Sequence, residues 1–190
     1  MLTNLLTHIK KYVSLTDVEE DIIRNSLVTI SLSNKVHLLK AGQICHDHYF
    51  VLKGCLRMYA VTEKGSEHTL QFAIENWWIS DYMSMEKGSP ASFNIQAVED
   101  ANIACLDKNN EQILFKKVPQ LEHYFRIMHR RAFAAAQHRI HYIYSLTGAE
   151  RYHHFSNTYP EFVQRIPLYM LASFLGFTPE FISKIRAQKK

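Results

Sequence analysis

The sequence predicts an α+β protein in which an N-terminal antiparallel β jelly-roll is followed by a long helix and a C-terminal helix-turn-helix. Three observations support this prediction. Short apolar runs with a period of two alternate with turn residues over residues 28–107. The stretch after Pro119 contains neither Gly nor Pro up to Leu146. Near the end of the chain, Gly176 separates two short helical patterns.

The first thirty residues are predicted to be helical. Apolar residues recur there at helical spacing: Leu2, Leu5, Leu6 and Ile9. Thr16 precedes a second run and has Glu19 three positions later, which is the pattern of a capping box. We therefore expect an amphipathic helix that begins after Thr16 and extends to about Leu27.

The next part of the chain is predicted to be a small barrel. Strand patterns occupy Val28–Leu32, Val36–Leu39, Tyr49–Leu52, Leu56–Val61, Phe93–Val98 and Asn102–Leu106. Turn residues separate them at near-regular intervals, among them Gly42, Gly54, Gly65 and Gly88. About eight short strands without an intervening helix of any length indicate an antiparallel sandwich or jelly-roll.

A helix of about 28 residues is predicted from Pro119 to Leu146. Its narrow apolar stripe comprises Leu121, Phe125, Met128, Ala132, Ala136, Ile140 and Ile143. A helix of this length is more than a barrel of about 80 residues can cover, so we expect a second copy of the chain to pack on it and form a homodimer. The alternative is that the helix packs wholly on its own barrel.

The end of the chain has the pattern of a helix-turn-helix. Gly176 suits the left-handed end of one helix, Thr178 can cap the next, and Pro179 suits its first position. Apolar residues are placed to pack across the turn: Leu171, Ala172, Leu175, Phe177, Ile182 and Ile185. Polar residues of the second helix are left outward: Glu180, Ser183, Lys184 and Arg186. The alternative is a helical hairpin that only packs.

Because the sequence continues for only four residues after Arg186, we expect a winged-helix-like unit with a reduced or absent wing.

The net charge of +4 hides an asymmetry between the two halves of the chain. Residues 1–100 hold 9 Lys and Arg against 12 Asp and Glu, a balance of −3, whereas residues 101–190 hold 13 against 6, a balance of +7. This asymmetry indicates a sensing module followed by a module that meets a polyanion. A solvated charged surface could also produce it.

Cysteine usage and hydropathy indicate a cytoplasmic location. The three cysteines, Cys45, Cys55 and Cys105, are an odd number without a CxxC pair, so buried reduced thiols are expected. Charged residues interrupt every apolar stretch well short of the roughly 18 residues that cross a bilayer. We expect neither a membrane partner nor a signal peptide.

With these features the sequence resembles the cyclic-AMP receptor protein / FNR (Crp/Fnr) family of bacterial transcription regulators, over nearly the whole chain. The segments 38–43 and 49–57 are similar to the glycine-marked strand turns of its cyclic-nucleotide-binding domain. The terminal segment "LASFLGFTPEFISKIR" looks like that of Bacteroidetes-type regulators. The resemblance implies a sensor barrel with N-terminal helices over residues 1–118, a dimerisation helix over 119–146 and a DNA-binding domain over 147–190.

The resemblance also implies partners: a double-stranded DNA operator, a second copy of the chain, and RNA polymerase as a further candidate. Lys or Arg on the second helix could read guanine and Glu could accept from cytosine. The residues expected to contact DNA are Tyr169, Thr178, Pro179, Glu180, Ser183, Lys184, Arg186 and Lys189.

In the family's nucleotide binders, a short segment of the barrel binds the ligand. The corresponding segment of this chain, called here the ligand cassette, departs from their pattern. Asp81 stands in place of the family's Glu and Ser92 matches its Ser, but Ala91 occupies the position of the Arg that pairs with the cyclic phosphate. Without that Arg, the negative charge of a buried phosphate would have no guanidinium to balance it. We therefore expect no cyclic AMP binding and no required cofactor. The expected pocket for an unidentified small molecule comprises Ser80, Asp81, Tyr82, Met83, Ala91, Ser92 and Phe93, with Ala136 and Gln137 carried over from the family's dimer helix. The alternative is a filled core with no effector.

Other functions find less support in the sequence. An iron–sulfur sensor of this family needs cysteines before the barrel, and none precedes Cys45. Haem sensing, another chemistry of this family, stays open because the chain has eleven histidines. Histidines such as His46, His48, His153 and His154 more often cap or face solvent than bind metal, so no metal site is expected. No catalytic motif emerges, so we expect no enzyme. The rival function is a small-molecule sensor or protein-interaction module with weak or lost DNA binding.

Overall fold

A computed structural model describes residues 2–187 of the chain. Within these residues, eight strands form two four-stranded sheets. The strands are β1 (Val28–Leu32), β2 (His37–Leu39), β3 (Asp47–Lys53), β4 (Leu56–Val61), β5 (Glu67–Ala73), β6 (Trp78–Ile79), β7 (Asn94–Ala97) and β8 (Ala101–Asp107). The helices are α1 (Thr3–Lys10), α2 (Asp17–Asn25), α3 (Tyr82–Lys87), α4 (Lys108–Lys117), α5 (Gln120–Ser145), α6 (Gly148–Thr158), α7 (Pro160–Arg165), α8 (Leu168–Leu175) and α9 (Pro179–Ala187).

The strand order is that of a jelly-roll, as predicted. One sheet runs β1-β8-β3-β6 and the other β2-β7-β4-β5. Strand β8 lies between β1 and β3, with Cys105 opposite Val28 on one side and opposite Tyr49 on the other, and both pairings are antiparallel. The predicted strands Val28–Leu32 and Leu56–Val61 match β1 and β4 to the residue.

The expectation that no helix interrupts the strands is wrong. Helix α3 begins after Asp81, whose side chain caps it, and ends at Gly88 in the left-handed conformation. Six residues span less than two helical turns, so this helix leaves almost no periodicity in the sequence.

Two apolar clusters surround the sheet that contains β3. Residues such as Tyr49, Val51 and Ile103 point into the barrel, where they pack with Met58 and Ile95. The alternate residues of β3 and β8 point outward and pack beneath the N-terminal helices and α4. Their cluster comprises Phe50, Leu52, Ala104, Leu106, Leu5, Leu6, Ile9, Ile23, Leu114, Val118, Leu121, Tyr124 and Phe125.

A buried polar network lies within the outer cluster. Tyr124 is fully buried, and its hydroxyl lies 2.8 Å from the indole nitrogen of Trp78 and 2.9 Å from Nδ1 of His8. The indole can only donate, so the Tyr124 oxygen accepts from Trp78, and the same hydroxyl shares a second hydrogen bond with Nδ1 of His8. These bonds connect α1, β6 and α5.

The long helix is real, but its apolar stripe divides into two parts. Leu121 and Phe125 are buried in the outer cluster, so the prediction that these two face a second copy is wrong, whereas Met128 is half-buried against the same cluster. The start of the helix therefore packs on its own barrel, although the alternative expected the whole helix to do so. The remaining stripe residues, Ala132, Ala136, Ile140 and Ile143, are exposed.

The described residues divide into two compact units. One comprises residues 2–58 and 72–130, and the other comprises residues 59–71 and 131–187. Helix α5 and strands β4 and β5 each contribute residues to both units. The three-part domain division expected from the family resemblance stays a prediction.

The second unit is built on α6–α9. Helix α6 begins with a capping box, in which Thr147 accepts from the Glu150 amide and Glu150 accepts from the Thr147 amide. Pro160 begins α7 and Pro167 precedes α8, so a proline marks the start of each of these helices. After Asp107, the described part of the chain forms helices only.

No helix of the described residues has both the length and the apolar character needed to span a membrane.

All three cysteines should resist a thiol reagent while the protein is folded. Cys45, Cys55 and Cys105 are at most 8% exposed, and burial raises the pKa of the Cys105 thiol to about 12. Because the thiolate is the reactive form, 5,5′-dithiobis(2-nitrobenzoate) at pH 8 should label none of them before unfolding and all three in denaturant. Rapid labelling of even one cysteine in the native protein would contradict this burial.

Candidate functional site

Helices α8 and α9 form a helix-turn-helix around Gly176. This glycine has φ +81°, and its amide and that of Phe177 donate to the carbonyls of Ser173 and Ala172, which ends α8. Thr178 accepts a hydrogen bond from the amide of Phe181 and thereby caps α9, and Pro179 is its first residue. The turn chemistry is as predicted.

The two helices pack through the apolar residues that the sequence singled out. Leu171, Ala172 and Leu175 are buried on α8, and Ile182 and Ile185 are buried on α9. Tyr152 of α6 and Phe162 of α7 are buried in the same unit. The helices are therefore held by an apolar core of their own.

The outward face of α9 is polar and charged. Glu180, Ser183, Lys184 and Arg186 are all exposed. Hydrogen bonds from its own amide and from the Thr178 hydroxyl lower the pKa of the Glu180 carboxyl, which keeps this group ionised at neutral pH. The Ser183 hydroxyl donates to the Pro179 carbonyl within the helix.

The remaining predicted DNA contacts fall in different places. Tyr169 is about half exposed near the start of α8, and Thr178 is exposed in the turn. Lys189 lies outside the described residues.

Sequence reasoning missed Arg151, which holds the turn from α6. Its guanidinium lies over the ring of Phe177 at 4.7 Å and donates to the carbonyls of Leu175, at 2.9 Å, and Leu146, at 3.2 Å. Because Arg can satisfy several carbonyls and a ring face at once, one side chain joins α6, the end of α8 and the turn. In a count of charges, Arg151 is only one more cation, so the composition gives no sign of this role.

Gly148 allows α9 to approach α6 closely. A Cβ at residue 148 would lie 2.6 Å from Cε1 of Phe181 and 3.1 Å from Cε1 of Phe177. The ring of Phe181 therefore occupies space that any side chain at residue 148 would need.

In the predicted effector cassette, Asp81 has a structural task. The carboxylate is buried, with one oxygen accepting from the amide of Ser84 and the other from the amide of Ser92. Ser80 is also buried and donates to carbonyls of Ile79 and Asp47. These bonds hold together the residues on both sides of α3.

The other predicted pocket residues are spread over different environments. Ala91 is buried, and its backbone pairs with those of Gly42 and Gln43. Phe93 packs against the barrel core, whereas Tyr82 and Met83 are exposed. Ala136 and Gln137 are exposed on the C-terminal part of α5, in the second unit.

One histidine expected in a solvated turn is instead buried. His48 lies on β3 with its Nε2 3.1 Å from a carboxylate oxygen of Glu111, among the rings of Trp78, Tyr82 and Phe125. Among the described residues, no group of three or more His, Cys, Asp or Glu could hold a metal ion.

Comparison with known protein families finds a match for the barrel. The family model described as "Cyclic nucleotide-binding domain" matches residues 29–117. No curated protein sequence matches the chain.

Several solved structures share the fold of nearly the whole chain. FixK2 from Bradyrhizobium japonicum is 14% identical, with 85% of this chain and 83% of that chain covered and a TM-score of 0.71. The c-di-GMP responsive global regulator CLP of Xanthomonas campestris is 11% identical, with 91% of each chain covered and a TM-score of 0.69. A chain described as a transcriptional regulator of the Crp/Fnr family from Eubacterium rectale is 17% identical, with 90% and 82% covered and a TM-score of 0.67.

A jelly-roll barrel, one long helix and a helix-turn-helix follow one another along the chain. Residues 29–117 match the model of the cyclic nucleotide-binding domain, and the chain has the fold of these solved structures, which include a Crp/Fnr family regulator.

Proposed function

We propose that this protein is a cytoplasmic, dimeric, sequence-specific DNA-binding transcription regulator, and that it is not an enzyme. The observation that carries the proposal is the polarity of α9. Its inward residues Ile182 and Ile185 are buried, while its outward residues include Lys184 and Arg186. A helix held by its own core and exposing cations suits insertion into the major groove.

Two kinds of DNA contact are proposed for this unit. Base readout falls to Glu180, Ser183, Lys184 and Arg186, because an ionised Glu accepts from cytosine and a cation donates to guanine. Tyr169, Thr178, Pro179 and Lys189 are proposed to lie against the phosphate backbone, which positions the helix without reading sequence.

Selection from random DNA tests this proposal against the rival that DNA binding is lost. The purified full-length chain should enrich a near-palindromic site with half-sites one helical turn, about 34 Å, apart. Binding should weaken steeply as salt rises, because phosphate contacts release counterions. Failure to enrich any sequence at low salt would overturn the regulator proposal and favour the protein-interaction rival.

Dimer formation is proposed through the exposed part of the α5 stripe. Ala132, Ala136, Ile140 and Ile143 recur at spacings of three and four, and the nearby Phe133 and Tyr144 are 66% and 85% exposed. A continuous apolar stripe with small alanines permits close approach of a matching helix. A two-fold dimer would also present two recognition helices to a palindromic site.

Ile140→Asp should raise the dimer dissociation constant at least about 100-fold, because it removes an exposed apolar side chain that the dimer would bury and places a charge in the interface. Sedimentation velocity over a concentration series measures this change. Ala134→Asp adds the same charge two residues from Ala132, on the opposite side of the helix, and should leave the dimer intact. Equal dissociation of both variants, or of neither, would contradict the stripe as the interface.

An unidentified small molecule is proposed as the effector of the barrel, with RNA polymerase as a further partner of the DNA-bound dimer. Ala91 supplies no guanidinium for a cyclic phosphate, and Asp81 is already bonded to two backbone amides. We therefore expect no saturable heat when cyclic AMP is titrated into the protein by calorimetry. Micromolar binding would show that another residue compensates the phosphate.

A further inference from the structure

The outer edge of β5 is bonded to the helix-turn-helix. In the described part of the chain, β5 is the last strand of its sheet. The Ser173 hydroxyl of α8 donates to the Glu67 carbonyl, at 2.7 Å, and accepts from the Thr69 amide, at 2.9 Å. Residues 67 and 69 are two positions apart on the strand, so their backbone N–H and C=O groups point to the same side. One hydroxyl therefore occupies the place of a neighbouring strand at this edge.

Arg139 of α5 adds a second connection between the same elements. One guanidinium nitrogen donates to the Leu70 carbonyl, and the other donates to the carbonyls of Phe174, at 3.0 Å, and Thr69, at 3.3 Å. The guanidinium also lies 4.2 Å from the centre of the Phe174 ring. Arg139 thus contacts strand β5 and helix α8 at once.

These bonds explain why the tip of the β4–β5 hairpin belongs to the second compact unit, with the helix-turn-helix. The same two strands continue into the barrel core, where Leu56, Met58 and Ala73 are buried. The hairpin is therefore one covalent element with its base in the sensor barrel and its tip bonded to α8.

We propose that Ser173 and Arg139 are positioning residues that hold the helix-turn-helix on β5, so that a shift of β4 and β5 in the barrel moves the DNA-reading helix. The proposal rests on the proposed DNA-binding function. It adds that the hairpin, besides α5, connects the sensor barrel to the recognition unit.

Substitution of Ser173 separates this role from a general effect on folding. Ser173→Ala removes both bonds to β5, and we expect hydrogen exchange of the Thr69 amide to become about tenfold faster and specific DNA binding to weaken about tenfold. Ser173→Thr keeps the hydroxyl and should restore both. Ser156→Ala is the matched control, because the Ser156 hydroxyl bonds only to the Tyr152 carbonyl of its own helix.

Arg139→Lys provides a second variant in case Ser173→Ala folds poorly. A lysine keeps the charge but lacks the planar fork that reaches several carbonyls, so DNA binding should weaken several-fold at an unchanged salt slope.

Each outcome bears on a distinct claim. Unchanged Thr69 exchange in Ser173→Ala would overturn the contact itself. Faster exchange with unchanged DNA affinity would overturn the positioning role and leave the proposed function standing. A wild-type protein that binds no DNA would overturn the proposed function before any variant is made, while the exchange experiment would still test the contact.

Discussion

Replacing both Lys184 and Arg186 with alanine should abolish specific DNA binding, with a loss of about 1000-fold in affinity. Both side chains are exposed on the outward face of α9, and neither contributes to its buried core. A good base contact from a cation contributes about 1–3 kcal/mol, so two contacts account for roughly 4 kcal/mol. Fluorescence anisotropy with the selected operator measures the loss.

The matched control is Lys116→Ala with Lys117→Ala, on α4 of the barrel unit. This pair removes the same charge from the protein but lies outside the recognition unit. The control should bind the operator nearly as the wild type does, with only a small change at low salt. Equal losses in both double variants would mean that net charge alone drives binding, which would contradict sequence readout by α9.

Gly54→Ala should lower the free energy of unfolding by about 3 kcal/mol, whereas Gly42→Ala should lower it by only about 1 kcal/mol. Both glycines have positive φ, at +97° and +90°. A Cβ at residue 54 would lie 2.6 Å from the backbone oxygen of Asp100 and 2.8 Å from Cα of Ala101, but a Cβ at residue 42 meets nothing within 4 Å. The pair therefore separates backbone strain from collision with β8.

Thermal unfolding followed by circular dichroism measures both variants. About 3 kcal/mol corresponds to a midpoint roughly 9 °C lower for a chain of this size, and about 1 kcal/mol to roughly 3 °C. Equal midpoints for the two variants would show that the β3–β4 turn can move away from residue 100, which contradicts the close packing seen at Gly54.

Features with local causes could be predicted from the sequence. The capping boxes at Thr16 and Thr147 each depend on a Glu three residues later, and both are present in the structure. The turn at Gly176 depends on one residue that tolerates positive φ. Strand β4 lies between turns that contain Gly54 and Gly65.

Features that depend on distant parts of the chain could not be predicted. Ser173 and Glu67 are 106 positions apart, and no pattern in either segment indicates that a serine hydroxyl would bond to a strand edge. The division of the α5 stripe into a buried and an exposed part could not be predicted for the same reason, because it depends on contacts with distant residues. Leu121 and Ile140 belong to one helical pattern, but only the first meets an apolar surface of its own barrel.

Residues that anchor α9 and residues that face outward alternate along one short helix. Ile182 and Ile185 are buried, and Phe181 fills the space above Gly148, while Ser183 and Lys184 lie between them in the sequence but outside the core. Substitutions at such exposed positions usually change stability by less than about 0.5 kcal/mol. The proposed operator preference can therefore diverge during evolution, or be reprogrammed in the laboratory, without any change to the residues that keep the helix folded.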